Sequence, residues 1–316
     1  MKYRTSPGSL RGSIVPLVTP FDNDGNVDMD AVRRLVEWQI AEGSHGISVG
    51  GSSGEFISQT LEERSNVIRA AAEAIGDRVP FMPGTGANTL AETLALTACA
   101  SDAGADAVLL IVPYYSRPSQ EGLTAYFSAV AAEFNDLPIV VYNIPGRTGT
   151  NIAPETLAGL RSRHPNIVGA KEANKDFEHV SKVLHACGTD FLVYSGIELL
   201  CFPMLAIGGA GHLSATANLL PRESAALYDL AAKGSWDEAR ALHYELLPLN
   251  EILFIETNPG PVKWAMERIG LLTSGRLRPP LALPSPGHRE AIETILHTYP
   301  GLSPASPDIS HAQSFR

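Results

Sequence analysis

The sequence predicts an α/β protein, a (β/α)8 TIM barrel with a C-terminal helical extension. Three observations lead there. Eight short apolar runs end in small or polar residues, at 13–21, 45–51, 79–86, 107–115, 138–145, 167–174, 190–196 and 210–218. Amphipathic stretches of about three turns separate them, which is the grammar of parallel βα units. An open doubly wound sheet usually carries a phosphate or dinucleotide loop, and none is present. Gly84-Thr-Gly-Ala-Asn-Thr89 lacks the third glycine of Gly-x-Gly-x-x-Gly, and no Walker lysine follows a glycine loop. Eight units that close on themselves give the barrel.

The helical segments follow in order. Val32, Leu35, Val36 and Ile40 fall at helical spacing, and Gly43 is a good terminator. Thr60 with Glu63, and Thr89 with Glu92, match capping boxes. Phe127, Val130, Ala131 and Phe134 form another apolar stripe, and Pro154 and Pro221 suit first turns. Val180, Val183 and Leu184 continue the series, and 199–207 is apolar nearly all round, as a buried helix would be. After about residue 220 the strands stop. Ser235 with Glu238 opens a further helix, and 261–269 and 288–297 read as helical. The expected organisation is a barrel over 12–220, a helical region packed on it over 221–300, and flexible tails at 1–11 and 301–316.

Composition narrows the function classes. The 316 residues suffice for one large core or two small ones, and 18% charged with 44% hydrophobic residues is an ordinary globular balance. A net charge of -10 argues against nucleic acid and against acidic membrane surfaces. No apolar run approaches the ~20 residues of a membrane span, and the polar first residues lack a secretory h-region. Cys99, Cys187 and Cys201 are widely spaced, so neither a disulfide framework nor a thiolate zinc site is expected, and cytoplasmic residence is the default. The nine histidines show no metal-ligand spacing. No metal or cofactor is expected.

In a barrel the chemistry lies at the carboxyl ends of the strands. The run Ile-Val-Gly-Ala-Lys-Glu-Ala-Asn over 167–174 places Lys171 near such an end. A buried lysine must find a partner or lose its proton, and a neutral amine in a dry pocket attacks carbonyl carbon. The commoner fate of a strand-end lysine is to reach solvent, so its neighbours decide. Tyr142 lies near the carboxyl end of the preceding run, one strand before Lys171, so neighbouring strands set a phenol beside the amine. Gly50-Gly51-Ser52-Ser53-Gly54-Glu55 offers backbone amides and two hydroxyls suited to a carboxylate, or a plain turn. Tyr114 and Tyr115 carry protons or simply cover the barrel mouth. Arg147, on the loop after Tyr142, grips a carboxylate or forms a surface ion pair. Together these residues meet the needs of imine chemistry on an acidic keto compound.

These stretches resemble the dihydrodipicolinate synthase and N-acetylneuraminate lyase superfamily of class I aldolases, over about 12–297. The most specific are Gly51-Ser-Ser-Gly-Glu55, Pro113-Tyr-Tyr-Ser-Arg-Pro-Ser-Gln-Glu-Gly122, Tyr142-Asn-Ile-Pro-Gly-Arg-Thr-Gly149, Lys171-Glu-Ala173 and Asn258-Pro-Gly-Pro-Val-Lys-Trp-Ala265. Arg147 points to the synthase branch. The resemblance implies that Lys171 forms a Schiff base with pyruvate and that Tyr142 shuttles protons. It implies that Ser52, where the synthases usually carry threonine, links Tyr142 to a Tyr115 donated by a neighbouring subunit. Ser53 would hold the pyruvate carboxylate, Arg147 the carboxylate of the second substrate, and Gly51 and Leu213 would line the substrate. It also implies a homotetramer, a dimer of dimers.

The implied reaction condenses pyruvate with L-aspartate 4-semialdehyde to 4-hydroxy-tetrahydrodipicolinate, in lysine and diaminopimelate biosynthesis. Two alternatives stand beside it. One is an aldolase or dehydratase for a 2-keto-3-deoxy sugar acid or another 2-oxo acid. The other is a noncatalytic 2-oxo acid sensor. Departures from the synthase pattern occur at Ser195-Gly-Ile-Glu198 and His212-Leu213-Ser214, expected on rims that face the substrate. Asn88, Glu92 and Tyr114 match the family's lysine-binding positions, but Phe56, Leu61 and Arg64 replace polar or histidine partners there. Inhibition by lysine is therefore expected to be weak or absent.

Overall fold

Strands and helices alternate through most of the described residues before the C-terminal helices. The computed structural model describes residues 9–302. In chain order the elements are β1 (Gly12–Pro16), α1 (Met29–Ala41), β2 (Gly46–Ser48), α2 (Leu61–Ile75), α3 (Leu90–Asp102), β3 (Val108–Ile111) and α4 (Gln120–Glu133). There follow β4 (Ile139–Asn143), α5 (Pro145–Thr148), α6 (Pro154–Arg163), β5 (Ile167–Glu172), α7 (Phe177–Cys187), β6 (Leu192–Ser195), α8 (Cys201–Ala206) and β7 (Gly211–His212). Then come α9 (Pro221–Ala232), α10 (Trp236–Ile252), α11 (Gly260–Arg268) and α12 (Pro286–Leu296).

Among the described residues, seven strands form one parallel sheet, ordered β2-β1-β7-β6-β5-β4-β3 and curled into a half-barrel. The expected closed ring of eight paired strands is not seen among the described residues, where seven strands pair. The run at 79–86 makes only two isolated bridges, Ile47↔Phe81 and Gly84↔Leu109. Pro80 and Pro83 explain this, because a proline has no N–H to give to a ladder. The segment still touches both edge strands. Met82 N donates to Ile47 O at 2.9 Å, and Leu109 N donates to Pro83 O at 2.9 Å.

Side chains alternate across the sheet as the pleat requires. Val140 and Tyr142 point inward with Ile14, Met82, Leu109, Ile111, Leu192, Tyr194 and Leu213. Ile139 and Val141 point outward into the larger core beneath the helices. Leu10 is buried with the inner set, and its carbonyl accepts from the Tyr194 hydroxyl.

Local signals worked unevenly. At Thr60 the capping box is complete: Glu63 N donates to Thr60 Oγ1 at 3.2 Å and Thr60 N to Glu63 Oε2 at 2.9 Å. At Thr89 half of it forms, since the hydroxyl itself donates to Glu92 Oε2 at 2.9 Å. Ser235 precedes α10 but caps nothing with its side chain. Gly43 takes a φ of 90° just past α1, where only glycine is unstrained. The apolar stretch expected as one helix over 199–207 is a 3-10 turn at Glu198–Leu200 followed by α8.

α9 packs on β1, and α10 joins α9 and α12 in a further helical layer. Residues 1–8 and 303–316, most of the expected tails, lie outside the described residues. No helix among the described residues is long and apolar enough to cross a membrane.

Candidate active site

Strand register sets the centre of the site. Tyr142 on β4 and Lys171 on β5 are paired residues. With Ala170 and Glu172 facing the helices, alternation turns Lys171 inward beside Tyr142. Lys171 is only 6% exposed, and its Nζ lies 4.3 Å from the centroid of the Tyr142 ring. Gly196, just past β6, makes room for it. A Cβ there would stand 2.8 Å from Lys171 Cε, closer than real Cβ contacts come.

The loop after β2 supplies hydroxyls. Ser52 Oγ and Tyr142 Oη are 3.5 Å apart, at the edge of hydrogen-bond range. Ser53 is buried, and its Oγ accepts from Asn258 Nδ2 at 3.1 Å. The loop is tightly wound: Gly54 N donates to Gly51 O at 3.0 Å and Glu55 N to Ser52 O at 3.2 Å. Gly50, Gly51, Gly84, Gly86 and Tyr142 line a narrow apolar space at the base of the site.

Glu55 holds the loop from behind. Its φ of 53° is left-handed, a conformation that costs a non-glycine residue about 1–2 kcal/mol. A fully buried ion pair fixes it there, with Lys263 Nζ 2.8 Å from Glu55 Oε1. Arg278 N donates to the other carboxylate oxygen at 3.1 Å, and Lys263 Nζ also donates to Thr19 O at 2.9 Å. Burial lowers the Lys263 pKa, and the Glu55 carboxylate opposes that shift.

Arg147 lies on α5, exposed at the mouth, and its Nη2 donates to Asn258 O at 3.1 Å. Leu213 is buried in the inner cluster, with its N–H on Ser195 O at 2.8 Å. The structure thus gathers Lys171, Tyr142, Ser52, Ser53 and Gly51, and ties Arg147 to Ser53 through Asn258. Tyr115 is not gathered with them. Its side chain is 94% exposed, and its φ is 71°.

Of the two rims expected to face substrate, Gly196 does stand against Lys171 and Leu213 does point inward, but the side chains of Glu198 and His212 are spent elsewhere. Glu198 is buried, and its Oε1 accepts from Ala215 N at 2.8 Å. Burial pushes its carboxyl up to about 7, while nearby hydrogen bonds and the Lys171 charge pull the other way. His212 is turned toward the helix layer, near His45 and Ser224, and burial pushes its imidazole down to about 4. The alternation that points Leu213 inward points His212 outward.

Sequence reasoning assigned no role to Asn258, Lys263 or Arg278. All three come from the C-terminal region, and the family-like stretch beginning at Asn258 was the available signal for the first two. It also passed over Glu172, which accepts from Asn143 Nδ2 at 2.9 Å and lies 3.6 Å from His179 Nε2 on the outer face. Among the described residues no group of three or more histidine, cysteine or acidic side chains is placed to hold a metal.

A model of the dihydrodipicolinate synthetase family matches residues 9–299. The 4-hydroxy-tetrahydrodipicolinate synthase of Thermus thermophilus is 48% identical over 295 residues, covering 93% of this chain and 98% of that protein. The crystal structure of dihydrodipicolinate synthase from Aquifex aeolicus superposes with a TM-score of 0.91 at 39% identity, covering 94% of this chain and all of that one. The 4-hydroxy-tetrahydrodipicolinate synthase from Methylacidiphilum fumariolicum gives a TM-score of 0.88 at 42% identity, covering 91% and 95%.

Proposed function

The chain belongs to the dihydrodipicolinate synthetase family, and from that premise we propose that it condenses pyruvate with L-aspartate 4-semialdehyde through a Schiff base on Lys171. The observation that carries the mechanism is the buried amine of Lys171 beside the Tyr142 ring. Curated relatives named 4-hydroxy-tetrahydrodipicolinate synthase support the choice of reaction.

The steps balance without an outside reagent. Lys171 Nζ attacks the pyruvate keto carbon, and the carbinolamine loses water to give the imine. The imine draws electrons and makes the methyl group acidic, so a proton leaves and an enamine forms. The enamine carbon attacks the aldehyde, whose oxygen takes up a proton. The α-amine of the second substrate then attacks the imine carbon and expels Lys171, closing the ring. One water is released overall.

Tyr142 carries protons at the imine, Ser52 relays them, and Ser53 holds the pyruvate carboxylate with the amide edge of Gly51 beside it. Arg147 grips the carboxylate of the aldehyde, and Leu213 lines the substrate. Tyr115 completes the relay from a neighbouring subunit of a homotetramer. Its full exposure on a left-handed backbone supports a role outside its own chain. The run at 79–86 closes the sheet into a (β/α)8 barrel over 12–220, supported by its bonds to both edge strands. The helices over 221–300 form the extension. Cytoplasmic residence is supported by three free cysteines.

Borohydride reduction with pyruvate tests the imine: mass spectrometry should find one reduced adduct, on Lys171. A coupled assay then tests the aldehyde. Turnover with L-aspartate 4-semialdehyde is expected, and turnover only with sugar-acid aldehydes would assign the chain to a different aldol reaction.

A further inference from the structure

Asn258 is 6% exposed and stands just before α11, between the two groups assigned to substrate carboxylates. Its side-chain Nδ2 donates to Ser53 Oγ, and its main-chain carbonyl accepts from Arg147 Nη2, each at 3.1 Å. Its Oδ1 is buried and has no hydrogen-bond partner. A buried orphan acceptor is costly, and an asparagine serving packing alone would gain nothing from it.

A serine hydroxyl has one proton to give and two lone pairs to receive with. At Ser53 one lone pair is taken by the Asn258 amide. The serine proton is not spent on Asn258, because an NH2 group cannot accept it. We infer that Asn258 is a positioning residue that sets the polarity of Ser53: by donating to Oγ, it leaves the single O–H of Ser53 to point at the substrate carboxylate. This rests on the reading that Ser53 holds the pyruvate carboxylate.

Aspartate at 258 would have nearly the same shape but could only accept. Ser53 would then give its proton to the new carboxylate and turn lone pairs toward the substrate anion. A residue that merely fills space would be rescued by this near-isostere; a polarity-setting one would be harmed by it. The main-chain carbonyl that holds Arg147 would persist in every variant.

The test is a double-mutant cycle on Asn258 and Ser53, read as the pyruvate concentration that half-saturates borohydride trapping on Lys171. Asn258→Asp should raise that concentration about tenfold or more, and Asn258→Ala about threefold. In a Ser53→Ala background the aspartate should add roughly threefold or less, because only charge repulsion is left. The KM for the aldehyde should move less than that for pyruvate. Asn258→Asp or Asn258→Ala matching the native protein, or an aspartate effect of full size without Ser53, overturns the inference. Should Asn258→Asp fail to fold, the alanine arm of the same cycle decides: its threefold effect should vanish without Ser53, and persistence overturns the inference. Ser53→Ala with unchanged pyruvate saturation would instead overturn the carboxylate role of Ser53 itself.

Discussion

Tyr142 and Lys171 are register partners on adjacent parallel strands, and the lysine nitrogen lies 4.3 Å from the tyrosine ring centroid. Two strands, rather than flexible loops, therefore fix the distance between the amine and the phenol. Proton transfer depends on such preset geometry. Replacing Tyr142 with phenylalanine keeps the ring and removes only the hydroxyl. Turnover should fall about 10²-fold or more while the thermal midpoint stays near that of the native protein. Stopped assays on the purified variant, with circular dichroism beside them, give both values.

Gly196 offers a probe of where the lysine side chain is held. An added methyl would lie 2.8 Å from Lys171 Cε and 3.0 Å from Ala173 Cβ. The lysine is the more flexible of the two, so it should move. Gly196→Ala is expected to slow adduct formation with pyruvate by about 10²-fold, since small misplacements near a reacting atom are costly. An unchanged trapping rate would show that the lysine reaches the keto carbon by another path.

How much of this was legible in the sequence depends on distance along the chain. Lys171, Tyr142 and Ser52 each stand near or just past the carboxyl end of an apolar run, so the barrel rule located them without coordinates. Asn258 and Lys263 meet Ser53 and Glu55 across 205 and 208 residues, and no periodic pattern encodes such a contact. The third strand failed for a different reason. Its two prolines were visible, but its apolar content outweighed their missing donors in the reading. His212 was misplaced because one step along a strand reverses the face, and the boundary of β7 decides which step is which.

The Glu55–Lys263 pair should govern stability more than chemistry. Both side chains are fully buried, and the pair ties the serine loop to α11. Lys263→Met would leave the buried Glu55 carboxylate to the Arg278 N–H and the more distant Arg278 charge, at a cost of about 3–5 kcal/mol. Changing Glu55 to glutamine in the same protein should recover part of that loss. Denaturant unfolding of the single and double variants gives the comparison; a single variant as stable as the native protein would mean that the loop is held by something else.

Lysine is expected to leave this enzyme active. The Arg64 side chain is buried against Phe56, with its guanidinium 4.9 Å from that ring, and it donates to Gly84 O at 3.3 Å and Gly86 O at 3.0 Å. Burial lowers its pKa to about 10, and Tyr114 and Glu92 act to keep it charged. A fixed cation thus sits in the field of two groups that match the family's lysine-binding positions. An incoming ammonium would meet like charge there. Initial rates at millimolar lysine should stay within about twofold of the control, and Arg64→His is the variant in which inhibition should appear.

The pH dependence of stability should show two buried groups in opposition. Glu198 has a folded pKa of about 7 against 4.5 unperturbed, so the folded state holds its proton more tightly. Its contribution is present below about 4.5 and is lost as pH rises to about 7. His212 has a folded pKa of about 4 against 6.5, so folding disfavours its cation. That contribution is present above about 6.5 and is lost as pH falls to about 4. Between about 4.5 and 6.5 the two slopes carry opposite signs, each on the order of 3 kcal/mol across its full window, and they largely cancel. Glu198→Gln should uncover the histidine, giving stability that climbs with pH through this interval. His212→Val should uncover the carboxyl, giving stability that falls from about 4.5 to 7. Urea unfolding at half-unit pH steps measures both curves. Parallel curves for the two variants would mean that neither buried group titrates where its surroundings place it.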